Sequence, residues 1–381
     1  MFNKNNNDAL GIIFPNSFDD MVPELAAERS IASVPFASRY RLCDFIISSM
    51  VHSNVANISF MCRKNYHSLM DHLGSGAEFD LARKNGGINI VPPYADRMTR
   101  VYNGRVDALY SLLGWLRKCK ERYVIMADSN FAMNFDFRKL IAAHKENGGD
   151  ITLMYRKQAI PKAFFRPGNR ESFFYVLDIY ADKRVRDIKV SPRENGLVDY
   201  SMNICCVERT RLIEMIEEAR KKGQSFFTRD VLRSNIDNWK IMSYEYTEYA
   251  AYIIDAKSYF KENMALLKEE NCDALFRKNR IYTKVRDDNP SMYMAGATAR
   301  NTMAADGCII EGTVENSVIF RGVKIGKGAV VRNCILMQDT VIEDGAKIEY
   351  VITDKNVKIT KNRTLSGNDN YQVFVSKGQT V

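Results

Sequence analysis

ENSVIFRGVKIGKGAVVRNCILMQDTVIEDGAKIEYVITDKNVKI, residues 315–359, contains a repeat that decides the fold of the C-terminal part of the chain. Val318, Ile335 and Ile352 stand 17 residues apart. Ile325, Ile342 and Ile359 keep the same step, as do Gly328 and Gly345. Apolar residues come in short couples separated by Gly, Asp and Asn. A period of about 18 residues with such couples fits three short strands per turn of a parallel β-helix. One coil cannot bury its apolar edge alone, so coils stack. A β-sandwich of short strands has no reason to repeat at this interval.

Upstream the pattern changes. Ala9 to Phe14, Asn57 to Cys62 and Tyr123 to Asp128 are short apolar runs that read as strands. Arg41 to Val55, Arg105 to Lys118, Phe137 to Lys145 and Thr210 to Lys221 read as helices. In the helix at 105, Val106, Leu109, Leu113 and Leu116 fall on one face. Such alternation predicts a mostly parallel sheet with helices on both faces. Between 150 and 208 strands outnumber helices, which predicts antiparallel additions to that sheet. A helix at 256–270 precedes a polar, turn-rich passage, where the domain boundary is expected. The expected organisation is an α/β, Rossmann-like domain with a mixed sheet over 1–270, a linker over 271–292 and a β-helix over 293–381.

The totals exclude several classes. The apolar runs are too short to span a bilayer. The first residues, MFNKNNNDAL, have no apolar targeting core, so a cytoplasmic location is expected. Eight cysteines form no C-x-x-C pair, and the four histidines all precede residue 145, so no metal site is expected. The net charge of +9 comes from 55 basic and 46 acidic residues, mixed along the chain. No basic helix or RNA-binding aromatic signature stands out, so neither nucleic acid nor a membrane is an expected partner.

Six stretches then resemble bacterial glucose-1-phosphate adenylyltransferases, in collinear order over nearly the whole chain. Ser33 to Phe45, S-V-P-F-A-S-R-Y-R-L-C-D-F, is similar to their P-A-V-P-F-G-G-K-Y-R-I-I-D-F. Tyr66 to Leu73 and Gly104 to Tyr110 resemble their S-H-S-L-x-x-H-L and G-T-A-D-A-V-Y segments. Ala127-Asp128-Ser129 sits where they carry G-D-H at a strand end. Ser258 to Asn263 and Glu311 to Val318 are similar to A-Y-x-x-A-N and E-G-x-V-x-N-S-V. The resemblance implies a nucleotidyltransferase domain followed by a left-handed parallel β-helix, usually in a tetramer.

The family reaction joins ATP and glucose 1-phosphate and needs the phosphates neutralised. Four devices supply this in the family, and each is altered here. The glycine-rich loop becomes Phe14-Pro15-Asn16-Ser17-Phe18-Asp19-Asp20-Met21, with Met21 at the place of an arginine. Two added carboxylates are expected to repel a triphosphate, and Pro15 has no N–H to offer. Ile31 replaces the lysine of R-A-K-P. Asp128 matches one carboxylate of the metal pair, but Tyr252 stands at the other, with Asp255 three residues away. Ser191 stands at the sugar-phosphate lysine, with Lys189 two residues away. Asp107 and Asp128 are then vestigial, as a helix-start and a strand-end carboxylate.

The resemblance also implies an activator site near Arg29. With Arg39 and Arg41 it makes a basic cluster that Arg321 and Lys324 of the β-helix are placed to face. Solvated surface charge is the alternative. These readings predict a non-catalytic, GlgD-type subunit that assembles with a catalytic glucose-1-phosphate adenylyltransferase chain. No cofactor is expected on this chain, and Mg²⁺ is expected at the catalytic partner. A hetero-oligomer is expected, with a homo-oligomer when alone left open. The alternative is an active sugar-1-phosphate nucleotidylyltransferase with a divergent loop. A hexapeptide acyltransferase is disfavoured, because no histidine follows His144.

Overall fold

Ala9–Phe14 carries no polar side chain and is buried at every position. A strand covered on both faces belongs at the centre of a parallel sheet. It lies there, parallel to Asn57–Met61 on one side and Tyr123–Asp128 on the other. The computed structural model describes residues 8–83, 86–93, 102–165 and 172–381.

The sheet has nine strands and is mixed. Leu197–Glu208 runs antiparallel to Tyr123–Asp128 and to Ile151–Ala159, the expected antiparallel addition. Helix Leu42–His52 packs close against the central strand. A Cβ added at Gly11 would meet the Met50 sulfur at 2.6 Å, so a larger residue there obliges the Met50 side chain to shift. The C-terminal residues Phe14 and Asp128 are register partners. The loop after Phe14 lines the cleft at that end of the sheet, where ligands of such sheets bind.

Two expected helices are broken. Arg105–Lys118 divides into Arg105–Ser111 and Leu113–Leu116. The Ser111 hydroxyl donates back to the carbonyl of Ala108, a bond that competes with the helical ladder. The helix at 256–270 ends at Ala265, where Asn271 Nδ2 donates to the Ala265 carbonyl, and a second helix spans Glu269–Phe276. The first seven residues, scanned for a targeting segment, lie outside the described residues. Among the described residues no helix is long and apolar enough to cross a membrane.

In the C-terminal domain the interval seen in the sequence is the strand register. Val318 pairs with Ile335, and Ile335 with Ile352. Ile325 pairs with Ile342, and Ile342 with Ile359. Each coil turns three corners, and each corner needs one residue at positive φ. Asn316, Asn333 and Tyr350 make one corner, Gly322, Asp339 and Asn356 the next, and Gly328, Gly345 and Asn362 the third. Gly, Asn and Asp reach this conformation most easily, which is why they punctuate the repeat. Tyr350 is the exception, at φ 51°. Its ring lies 6.1 Å from that of Phe260 in the N-terminal domain.

Stacking of coils accounts for only part of the apolar repeat. Ile319, Leu336 and Val351 fill the β-helix interior. Val318, Ile335 and Ile352 point out of it and join Phe320 and Met337 against Val34, Phe36, Tyr259 and Phe260. The two domains therefore share one core. Each such buried side chain contributes about 1.5–3 kcal/mol. Within this seam the Arg29 guanidinium donates to both carboxylate oxygens of Asp354, at 2.8 and 2.9 Å. Both side chains are less than a tenth exposed.

Arg29→Ala leaves the Asp354 carboxylate buried without its counterion. The expected loss is about 3–5 kcal/mol, read as an earlier urea unfolding transition. Arg29→Met combined with Asp354→Leu recovers most of that loss.

Candidate functional site

The loop after Ala9–Phe14 is built differently from a phosphate cradle. Asp19 points inward: its carboxylate accepts from the Ile31 backbone N–H at 2.8 Å and from Asn16 Nδ2 at 2.7 Å. Burial pushes its carboxyl up to about 6. Asn16 is further held by the Lys64 carbonyl and the Arg63 N–H. The N–H groups of Asp19, Met21 and Val22 donate to carbonyls of the loop itself. The sequence-based expectation of two repelling carboxylates is thus corrected. Asp19 staples the loop, and only Asp20, paired with Lys64 at 2.6 Å, lines the cleft. Ile31 is fully buried and Met21 packs partly against the core, so neither faces a ligand.

At the strand end Asp128 is fully buried. Its Oδ1 accepts from Arg105 Nη2 at 2.5 Å and from the Ser17 hydroxyl at 2.6 Å. The Arg105 guanidinium also lies over the Phe14 ring, 4.6 Å from its centre. A guanidinium therefore sits where the resemblance implies a divalent cation. Sequence reasoning missed Arg105, although the signal was present: it replaces the threonine of the G-T-A-D-A motif.

The second metal position is aromatic. Tyr252 is buried and stacks on Phe131 at 4.2 Å, with rings 8° from parallel. Its hydroxyl is 2.6 Å from that of Tyr200, and Arg156 lies over both stacked rings. Burial drives the Tyr252 hydroxyl far above its usual range, so it stays neutral. Asp255 caps the helix Ala256–Ala265 by accepting from the Ser258 N–H at 2.7 Å, and is committed there. One carboxylate already neutralised by arginine does not fit a divalent cation with its octahedral oxygen shell.

The remaining positions are equally engaged. Ser191 sits at φ 46° in a turn, its N–H donating to Phe174. Lys189 is paired with Glu194 at 2.8 Å, in a groove away from the cleft. Asp107 accepts from the Asn103 N–H and from Arg220, as a helix-start carboxylate. The cleft itself encloses about 700 Å³.

The basic cluster resolves into three environments. Arg29, expected to be open to an effector, is instead buried on Asp354. Lys324 is exposed on another face of the β-helix. Arg39, Arg41 and Arg321 meet in a cavity of about 260 Å³ between the domains. Its lining holds six basic side chains, with Lys284, Arg286 and Lys355, against the single carboxylate of Asp71. Arg39, Arg286 and Lys284 have acidic partners at 3.0–3.5 Å. The Arg41 guanidinium donates to the Ser68 carbonyl and hydroxyl, at 2.7 and 2.9 Å. Arg321 is buried; Nη1 donates to the Lys284 carbonyl, while Nε and Nη2 have no partner among the described residues. Buried donors left unpaired mark a place for acceptors from outside. His72, itself part of this wall, forms a buried pair with Asp44 at 2.6 Å beside Cys43, the one three-residue group of metal-ligand types among the described residues.

Fold and site together define a nucleotidyltransferase-type domain joined to a hexapeptide-repeat β-helix. A nucleotidyl transferase family model matches residues 23–165, and a GlmU-like C-terminal hexapeptide model matches residues 288–373. The chain is 31% identical to the glycogen biosynthesis protein GlgD of Bacillus subtilis over 98% of its length and 97% of that protein. It is 35% identical to GlgD of Geobacillus stearothermophilus, over 86% and 83% of the two chains. It is 32% identical to the glucose-1-phosphate adenylyltransferase of Thermomicrobium roseum, over 91% and 81%. The chain belongs to the family of GlgD proteins and glucose-1-phosphate adenylyltransferases.

If Arg105 holds the cation position, Arg105→Ala gains weak Mn²⁺ binding in the cleft relative to the unsubstituted chain. Electron paramagnetic resonance of free Mn²⁺ measures it, and equal binding by both chains contradicts the assignment.

Proposed function

We propose that this chain is a regulatory, non-catalytic subunit of glucose-1-phosphate adenylyltransferase, acting in glycogen biosynthesis in the cytoplasm. One observation carries the reading: the Arg105 guanidinium is bonded to Asp128, with uncharged Tyr252 in place of the second carboxylate. Transfer of a nucleotidyl group needs cations on the phosphates and a positioned metal. A loop whose N–H groups close on its own carbonyls removes another source of phosphate binding. The names of the similar proteins support the pathway. Mg²⁺ then acts at a catalytic partner chain, in a hetero-oligomer whose subunit interfaces transmit regulation.

The cleft between the domains supports the regulatory half of the reading. Six basic side chains around about 260 Å³ suit a small polyanion. It lies where a ligand bridges the N-terminal domain and the β-helix, and so biases their relative position.

Purified alone with ATP, glucose 1-phosphate and Mg²⁺, the chain is expected to show turnover at least a hundredfold below an active family member. Mixed with the catalytic chain of the same source, it forms a mixed oligomer with altered kinetics. Ordinary turnover alone favours the active-enzyme reading, and absence of a mixed oligomer removes the subunit reading.

Anion binding carries a pH signature. Burial lowers the Lys355 ammonium to about 7; Arg41, Arg29 and Lys377 add to this, and Asp354 opposes it. His72, which also lines the cleft, is itself held below its usual value by burial. A bound anion favours the charged lysine and raises its pKa, so binding takes up protons. Sulfate affinity is therefore full below about pH 7 and falls as pH rises above it. Calorimetry in buffers of different ionisation enthalpy reads the proton uptake, and Lys355→Gln abolishes it.

A further inference from the structure

Lys355 follows Asp354, the partner of Arg29, and its side chain lines the cavity between the domains. Its Nζ makes no hydrogen bond or ion pair among the described residues. Two other cations of the same wall, the Arg41 and Arg321 guanidinium groups, make no ion pair with a carboxylate among the described residues. A desolvated amine beside other cations is the environment that activates lysine as a nucleophile. With its ammonium held to about 7, Lys355 offers far more neutral amine than a solvated lysine does. At neutral pH the gain is on the order of a thousandfold. Lower basicity takes back part of that gain in reactivity. The same wall gathers anions. An anion that also bears an electrophilic carbonyl would meet both properties at once.

We propose that Lys355 is an acyl acceptor: an acyl phosphate enters the cleft between the domains, Arg41 and Arg321 hold its phosphate, and the lysine amine takes the acyl group. The amine lone pair attacks the carbonyl carbon. A C–N bond forms and the C–O bond to phosphate breaks. Phosphate leaves with that electron pair and takes up the proton that the amine loses. No oxidant or metal is needed. The product is a neutral amide, so the wall has lost a group that can carry charge, and anions bind less tightly. This rests on the anion-binding reading of the cleft and adds covalent regulation to it.

The full chain is incubated with acetyl phosphate at pH 7.5, and acetyl-lysine is quantified at each lysine by mass spectrometry over time. Lys355 is expected to acetylate about tenfold or more faster than the median lysine. Excess sulfate slows Lys355 and leaves exposed Lys222 and Lys361 unchanged. Arg39→Gln, at the exposed rim, slows Lys355 in the same selective way. Acetylation of Lys355 at or below the median overturns the proposal. So does fast acetylation that sulfate does not slow, because recruitment through the cleft is then absent. Sulfate binding by calorimetry separates the two readings. Binding without selective acetylation sinks only the acyl-acceptor assignment, whereas no binding sinks the anion cleft itself.

Discussion

The ion pair of Arg29 with Asp354 is buried where the N-terminal domain meets the β-helix. A charge taken out of water is tolerated only with its partner in place. The pair therefore ties the two domains at one position, and the apolar face of Val318, Phe320, Ile335, Met337 and Ile352 closes around it. Much else follows from that seam. It places Lys355, one residue on from Asp354, in the wall of the cavity. It brings Arg321 of the β-helix opposite Arg39 and Arg41. It also sets Tyr350 against Phe260, the one bulky side chain in a run of left-handed asparagine corners.

The two clefts show opposite electrostatics. At the end of the parallel sheet charge is consumed internally: Arg105 on Asp128, Lys64 on Asp20, and Asp19 on backbone and amide donors. Of the cleft's other cations, exposed Arg63 stands at its edge. Between the domains the balance is reversed: among the described residues the side chains of Arg41, Arg321 and Lys355 form no ion pair with a carboxylate. In a low-dielectric cavity such uncompensated charge is costly unless an anion is present part of the time.

The fold was largely legible because it rests on local rules. The 17-residue interval is the strand register, and Gly, Asn and Asp punctuate it because the corners demand positive φ. The burial of Ala9–Phe14 on both faces follows from its uniform apolarity. Helix breaks were missed because Ser111 and Asn271 act through single side-chain hydrogen bonds that leave periodicity intact. The altered site was legible as a set of substitutions. Its consequences were not, since Asp19 was expected to repel a ligand and instead holds the loop.

By itself the sequence determined the two architectures, their order and the identity of the side chains at the positions that the resemblance aligns with phosphate-handling residues. Those depend on periodicity and on residue type, which are local properties. Tertiary structure decided which charges are spent and which are free. Arg29 and Arg41 lie in one basic cluster of the sequence, yet the first is neutralised by a residue 325 positions away and the second lines an open cavity. Arg105 likewise finds Asp128 only when the start of helix Arg105–Ser111 meets the end of strand Tyr123–Asp128. Ion pairing falls off steeply with distance and rises with burial, and neither quantity exists until the chain has folded.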